Sequence, residues 1–404
     1  MVRVKIEQQI EIIKRKTAKI ITEEELREKL EFCYKKNKKL RVKLGIDPTA
    51  TDIHLGFAVV LKKLKEFQQL GHKAILVIGD FTAKIGDPSG RNITRPILTD
   101  REIKKNLSTY LKQIFKILDK NKTEVRYNSE WLTKLNFKDI LEIFSKITIQ
   151  KIIEREDFQK RLKDNNPVFL HETIYPLVQA YDSVYLKADI ELGGSDQELN
   201  CLMGRELQTK FNQSPQVIIL TPLLIGLDGK NKMSKSLKNY IGITEKPEEM
   251  FGKVMSISDE LLPQWLELTT ELSEKEIKEI LNLHPMEAKK RLAYEIVKYY
   301  HNEKLANLAL NQFEQTFQKK DYEALAKEII LSSEIKNLPL IEILTQSNLV
   351  KSKSEARRLI EQGAIEINYR KVIVQDNINN LKINLNTNDL LRIGKKNFYK
   401  LIIK

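Results

Sequence analysis

The sequence predicts an α/β protein built on a doubly wound parallel sheet, followed by an α-helical domain and a small α+β domain. Three observations predict it. Before about residue 230, apolar runs of strand length alternate with helical periodicity, as crossover helices between parallel strands require. From Lys246 to Lys327, helix signals such as Ser273-Glu274-Lys275-Glu276 recur with hardly any strand signal. Beyond Leu338, two helical stretches precede the alternating segments Ala364 to Val374 and Leu390 to Ile403.

Taken in order, residues 1–40 read as an N-terminal helical segment. Arg41 to Ile46 reads as a strand that runs into the turn Asp47-Pro48-Thr49-Ala50. A helix follows from about Leu55 to Leu70, with Val59, Val60, Leu64 and Phe67 at helical spacing, and Gly71 closes it. Lys73 to Ile78 is the next strand, which completes a strand-helix-strand unit. Residues 99–165 are charged and helical, an expected insertion between two halves of the sheet, and Val217 to Leu224 reads as a late strand. Leu331 to Pro339 reads as a short polar connection. These boundaries divide the chain into 1–40, 41–240, 241–330 and 338–404, in keeping with roughly 100 to 200 residues per domain for a chain of 404.

Composition narrows the function classes. The longest apolar stretches, such as Ala74 to Ile78, fall far short of the roughly 20 residues of a membrane helix, so no membrane association is expected. The first residues mix charge with helically spaced Ile and carry no secretion signal. Cys33 and Cys201 have no CxxC spacing, which points to buried thiols in a reducing cytoplasm and away from a zinc site. The formal net charge of +14 favours a polyanionic partner. From Leu338 onward 12 basic residues face 6 acidic ones, so the last 67 residues carry +6 of that excess.

Two segments carry chemistry. Asp47-Pro48-Thr49-Ala50-Thr51-Asp52-Ile53-His54-Leu55-Gly56-Phe57 lies where a strand hands over to a helix N-terminus, which presents unpaired backbone N–H groups to a polyphosphate. Thr49 and His54 add side-chain donors, and Gly56 lets a flat ring lie against the backbone. Leu227-Asp228-Gly229-Lys230-Asn231-Lys232-Met233-Ser234-Lys235-Ser236 is a loop in which lysines alternate with small residues and can fold over phosphates. Alone, the first would pass for helix capping and the second for a solvated face.

Together the two resemble the signatures of class I aminoacyl-tRNA synthetases. Lys232 to Ser236 matches the KMSKS loop completely, and His54 and Gly56 match the HIGH motif, whose second His is replaced by Phe57. Gly86-Asp87-Pro88-Ser89-Gly90-Arg91 with Arg95, Tyr175-Pro176-Leu177-Val178-Gln179-Ala180-Tyr181-Asp182, and Gly193-Gly194-Ser195-Asp196-Gln197 resemble the bacterial tyrosyl-tRNA synthetases. Independently, Tyr175, Gln179 and Asp182 fall on one helical face, with Pro176 expected in the first turn.

The resemblance implies a Rossmann-like catalytic domain at 41–240, an anticodon-binding-type helical domain at 241–330 and an α-L type RNA-binding domain at 338–404. It implies that Thr49, His54, Lys232 and Lys235 stabilise the reacting phosphates, and that Gly56, Asp196, Met233, Ser234 and Lys235 bind ATP. Asp87, Tyr175 and Gln179 would surround the ammonium of L-tyrosine, Asp182 would accept from its phenol, and Gln197 would meet its carboxyl region. Lys43 stands where many tyrosyl enzymes carry a Tyr, so the phenol pocket is expected to be built differently, as in the second branch of the bacterial enzymes. In the tail, Lys353, Arg357 and Arg358 would contact RNA. The implied partners are tRNA-Tyr, ATP with Mg2+ and a second copy of the chain in a cytoplasmic homodimer. Two rivals remain at this point: a tryptophanyl enzyme, which Asp182 disfavours, and a non-catalytic RNA-binding paralogue in which Phe57 marks decay of the ATP site.

Overall fold

The computed structural model describes residues 4–49, 51–88, 98–315, 326–332, 334–335, 338–368, 370–372, 378–394 and 397–404. Ala50, Ser89, Gly90, Arg91 and Arg95 of the motifs above lie outside them. The chain forms two compact units, Met1–Ala306 and Asn307–Lys404.

The first unit is organised by a six-stranded sheet of β1 (Lys19–Ile21), β2 (Arg41–Ile46), β3 (Lys73–Ile78), β4 (Thr123–Tyr127), β5 (Ile190–Gly194) and β6 (Val217–Thr221). Their order is β1-β6-β5-β2-β3-β4, all parallel except β1, which runs antiparallel to β6 with Ile20 opposite Ile219. β3, β5 and β6 are buried on both faces; β3 and β6 accordingly read as near-continuous apolar runs, whereas β5 interrupts its run with Glu191 and ends on two glycines. From the adjacent β2 and β5 the chain winds outward in opposite directions, so their carboxyl ends flank a topological switch point, where open α/β sheets bind ligands.

The helices α1 (Ile6–Lys14), α2 (Glu23–Lys35), α3 (Leu55–Gln69), α4 (Asp100–Ile114), α5 (Ser129–Leu132), α6 (Phe137–Phe144), α7 (Ile149–Ile153), α8 (Glu156–Lys163), α9 (Leu170–Leu186) and α10 (Glu198–Lys210) belong with this sheet. So do α11 (Pro247–Met255), α12 (Leu262–Thr269), α13 (Glu274–Leu281) and α14 (Pro285–Tyr300), which lie within the same compact unit. α12 seats the fully buried Trp265, whose indole N–H donates to the Ile225 carbonyl at 3.0 Å and so ties the helical stretch to the loop after β6.

Several expectations need correction. The N-terminal segment is not wholly helical, because the three-residue β1 completes the sheet edge, too short for its alternation to register. The expected insertion contains β4, an edge strand whose Thr-Glu-Val-Arg-Tyr pattern is half-buried throughout and so looks polar. The last strand ends at Thr221 instead of Leu224. Pro176 sits at the seventh position of α9, not in its first turn. The helix starts earlier because Glu172 accepts from the Phe169 N–H at 2.9 Å and pairs with the buried Arg161, which fixes Leu170-His171-Glu172 as helical.

The second unit begins within α15 (Glu303–Phe313) and holds a five-stranded sheet of β7 (Lys327–Leu331), β8 (Ile365–Ile367), β9 (Arg370–Lys371), β10 (Leu390–Ile393) and β11 (Asn397–Ile403). β7 was not expected: its Leu331, assigned to a polar connection, is 1% exposed and pairs in parallel with Ile403 of β11. α16 (Leu340–Gln346) and α17 (Lys353–Glu361) bury Leu340, Leu344, Ala356 and Ile360 on this sheet. Gly363 ends α17 at φ +60°, a conformation that needs no Cβ, and lets Ala364 enter β8.

Candidate active site

The switch-point cleft encloses about 650 Å3 and is lined by the ends of β2 and β5, the start of α3, one face of α9 and the loop after β6. At its nucleotide end, His54 caps α3: its Nδ1 accepts from the Phe57 N–H at 3.2 Å. A ring whose Nδ1 accepts carries its proton on Nε2, which is left as the donor. Burial first, then the charges of Lys235 and Lys232, push the His54 pKa down to about 4, so the ring is neutral at physiological pH. Phe57, in place of the second His, contributes the N–H that orients the first. Thr49 lines the same wall.

The loop of lysines closes on this helix start. The Gly56 N–H points at the Met233 sulfur at 3.3 Å, and a Cβ on Gly56 would come within 3.2 Å of Met233 Cβ and of His54 Nδ1. Met233 is 4% exposed, so the loop is anchored by an apolar plug between its two cations. Lys232 pairs with Asp196 at 2.5 Å, and Lys235 donates to the Asp52 carbonyl beside the Tyr110 ring. Burial pushes the Lys235 pKa down to about 8, with Asp52 opposing. The Ser234 N–H donates to Asn239 Oδ1 at 2.8 Å, and Asn239 Nδ2 donates to the Lys232 carbonyl at 3.1 Å and to Asp228 at 3.0 Å. Asp228 also accepts from the Asn231 side chain, the main reason its carboxyl pKa falls to about 2. Asn239 lies outside the recognisable motif, and nothing in its sequence context singles it out.

The amino-acid end is a buried polar network. Tyr175, Gln179 and Asp182 do share one face of α9 and all line the cleft. The Tyr175 hydroxyl donates to Asp47 at 2.9 Å, and Asp47 also accepts from Thr82 Oγ1 at 2.7 Å. Gly79 permits that crossing, since a Cβ there would lie 1.9 Å from Asp47 Oδ1. Asp182 is 3% exposed and accepts from the Trp131 indole N–H at 2.8 Å and from Asn128 at 3.4 Å. Burial outweighs those contacts and the attraction of Lys43, and raises its pKa to about 7. Asp87 accepts from Gln197 Nε2 at 3.0 Å on the opposite wall.

Lys43 occupies the position that departs from the common pattern, and it is fully buried. Its ammonium donates to Glu191 at 2.9 Å, Ser183 at 2.8 Å and the Gln179 carbonyl at 3.2 Å. Burial opposes its charge, yet Glu191 and Asp182 outweigh that and hold its pKa above the ordinary lysine value. Asp47, Glu191, Ser183, Asn128 and Trp131 went unassigned in the sequence. Only the alternating strand Ile190-Glu191-Leu192 offered a signal, a carboxylate in an otherwise apolar central strand.

The profile of class I tRNA synthetases (W and Y) matches residues 35–318, and that of the tyrosine–tRNA ligase SYY-like C-terminal domain matches residues 321–402. The tyrosine–tRNA ligase of Aquifex aeolicus is 48% identical over 397 residues, covering 98% of this chain and 99% of its own. Tyrosine–tRNA ligase 2 of Clostridium acetobutylicum is 49% identical over 405 residues, covering 99% of each. The chain belongs to the tyrosine–tRNA ligase family. The fold agrees: the tyrosyl-tRNA synthetase of Archaeoglobus fulgidus, crystallised with L-tyrosine, superposes with a TM-score of 0.60 at 24% identity over 76% of this chain and all of its own. A truncated mitochondrial tyrosyl-tRNA synthetase of Aspergillus nidulans gives 0.63 at 21% identity over 76% of this chain and 94% of its own. Membership in this ligase family displaces the tryptophanyl and non-catalytic alternatives.

In the family's C-terminal domain, α17 presents Arg357 and Arg358 on its exposed side. The Arg357 guanidinium donates to Asn379 at 2.8 Å, and Lys353 forms an ion pair with Glu342.

Proposed function

We propose that the cleft activates L-tyrosine with ATP to tyrosyl-adenylate and pyrophosphate, and that the chain then transfers the tyrosyl group to the 3′ end of tRNA-Tyr. The observation that carries this reading is the seating of Met233 on Gly56, which delivers Lys232 and Lys235 to the helix start where His54 points its Nε2–H. Attack of the tyrosine carboxylate on the α-phosphorus builds negative charge on the phosphates. Thr49, His54, Lys232 and Lys235 then act by electrostatic stabilisation and positioning, with no protein nucleophile. Gly56, Met233, Ser234 and Asp196 would form the nucleotide site, and Mg2+ would arrive with ATP, coordinated by its phosphates. A neutral His54 suits this task, because it donates one hydrogen bond and does not need to be charged at working pH.

At the other end, Asp87, Tyr175 and Gln179 would hold the substrate ammonium and Gln197 its carboxyl. Asp182, already oriented by Trp131 and Asn128, would take the phenol hydroxyl. Phenylalanine would leave that buried carboxyl without its partner, which supports selection for tyrosine.

Lys353, Arg357 and Arg358 of α17 would meet RNA backbone, Lys353 and Arg357 exchanging Glu342 and Asn379 for phosphates. Since β7 is part of the C-terminal sheet, a cut made to test this belongs before it. Truncation after Gln315 should spare pyrophosphate exchange and weaken tRNA charging, and full charging by the shortened chain would remove the tail from the RNA site. Exposed Phe137, Leu141, Phe169, Leu170 and Tyr185, concentrated in one stretch of the first unit, support a homodimer. Cys33 and Cys201 are both buried and neither forms a disulfide, in keeping with a reducing cytoplasm, and no described helix is long and apolar enough to cross a membrane.

The deciding experiment is ATP–pyrophosphate exchange with tyrosine, tryptophan and phenylalanine in parallel. Exchange with tyrosine alone is the expected result, and exchange with none of the three would refute the activation chemistry.

A further inference from the structure

A line of hydrogen bonds leads from a buried cation behind the cleft to the carboxylate inside it. Arg155, immediately before α8, is 5% exposed and grips Asp157 through Nε at 3.1 Å and Nη2 at 2.9 Å. Its Nη1 donates to Asn200 Oδ1. Asn200, in the first turn of α10 and 1% exposed, donates from Nδ2 to Gln197 Oε1 at 2.9 Å. Gln197 Nε2 in turn donates to Asp87 Oδ2 at 3.0 Å.

The direction of this line follows from chemistry. A guanidinium has only donors, so Asn200 must turn its oxygen to Arg155 and its NH2 toward Gln197. That leaves Gln197 its oxygen on the inner side and its NH2 facing the cleft, where the carboxylate of Asp87 accepts. An amide on its own can sit either way round with little difference in shape. Here a cation at one end and an anion at the other select one sense for both amides, and the salt-bridged Arg155 cannot rotate away without losing the fork on Asp157.

We propose that Arg155 and Asn200 are positioning residues for amino-acid binding: they lock the Gln197 amide in the sense that donates toward the substrate carboxyl, and keep Asp87 turned to the ammonium. This rests on the assignment of Gln197 and Asp87 to the two charged groups of tyrosine. The isosteric Asn200→Asp keeps its acceptor for Arg155 but presents a second oxygen to Gln197. The Gln197 amide must then turn over to donate to it, which sets Oε1 against Asp87 and withdraws the donor from the substrate.

The test is steady-state pyrophosphate exchange with the full-length chain. Asn200→Asp should raise KM for tyrosine at least tenfold while KM for ATP stays within twofold. Gln197→Ala should also raise KM for tyrosine, and adding Asn200→Asp to it should change nothing further. Should Asn200→Asp fail to fold, Arg155→Lys, which retains the charge and loses the fork, is read by the same split between the two KM values. A raised tyrosine KM in Gln197→Ala beside an unchanged one in Asn200→Asp overturns the relay alone. An effect of Asn200→Asp undiminished in the Gln197→Ala background also overturns it. An unchanged tyrosine KM in Gln197→Ala overturns the substrate assignment and the relay with it.

Discussion

At the nucleotide end of the cleft, Lys232 and Lys235 reach in from a loop, both only partly buried, and among the described residues each donates to a single protein acceptor. At the amino-acid end, Lys43 is fully buried, donates to Glu191, Ser183 and the Gln179 carbonyl, and cannot leave them. The difference teaches what each end is for. Loop cations that can exchange one acceptor for another suit a polyphosphate whose charge changes during reaction. A fully satisfied internal cation suits a pocket that must hold its shape whether or not substrate is present.

The contrast can be broken at Asp182. Asp182→Ala should lower selectivity for tyrosine over phenylalanine by orders of magnitude, tyrosyl enzymes being the standing example of such discrimination. Exchange rates with both amino acids measure it, and unchanged selectivity would take Asp182 out of the phenol contact. At the other end, Lys232→Ala should slow adenylate formation by about 10²- to 10³-fold with KM for tyrosine unaltered. A single-turnover rate that holds within a few-fold would show the loop lysine to be dispensable.

Two smaller effects sharpen the comparison on the side of stability. Lys43→Met leaves Glu191 buried with its charge uncompensated, at a cost of about 3–5 kcal/mol, whereas the pair Lys43→Met with Glu191→Leu should recover much of it. Urea unfolding of the three chains decides this, and equal losses in the single and double variants would contradict the pairing. For Asp182 the folded-state pKa of about 7 lies above the ordinary 3.8, so the folded chain binds the extra proton between those values. Its contribution is complete below about pH 4 and is lost as pH rises through 7. Wild-type unfolding midpoints should therefore drop between pH 5 and pH 7.5 by more than those of Asp182→Asn, and parallel pH profiles would place the titration elsewhere.

How much of this was legible varies with how local the information is. His54, Gly56 and the Lys232 to Ser236 loop were readable because each forms from neighbours in the chain, at a helix start and in a turn. The face of α9 was readable for the same reason, since Tyr175, Gln179 and Asp182 follow helical spacing. Trp131, Asn128 and Glu191 were not, because they reach Asp182 and Lys43 from other strands and helices, and no spacing rule relates them. β1, β4 and β7 escaped notice as edge strands, short or half-buried, which need no regular apolar alternation.

By itself, then, the order of residues determined the alternation of the central strands and helices, the family, and the local geometry of the phosphate-facing segments, all of which depend on contacts within a few positions. Only the tertiary structure decided that Met233 seats on Gly56, that Lys43 finds Glu191, and that Arg155 and Asn200 stand behind Gln197. Apart from the Asn200–Gln197 bond, which spans three positions, those contacts join residues far apart in the chain, and burial makes each polar group take whichever partner the packed sheet and helices bring within reach.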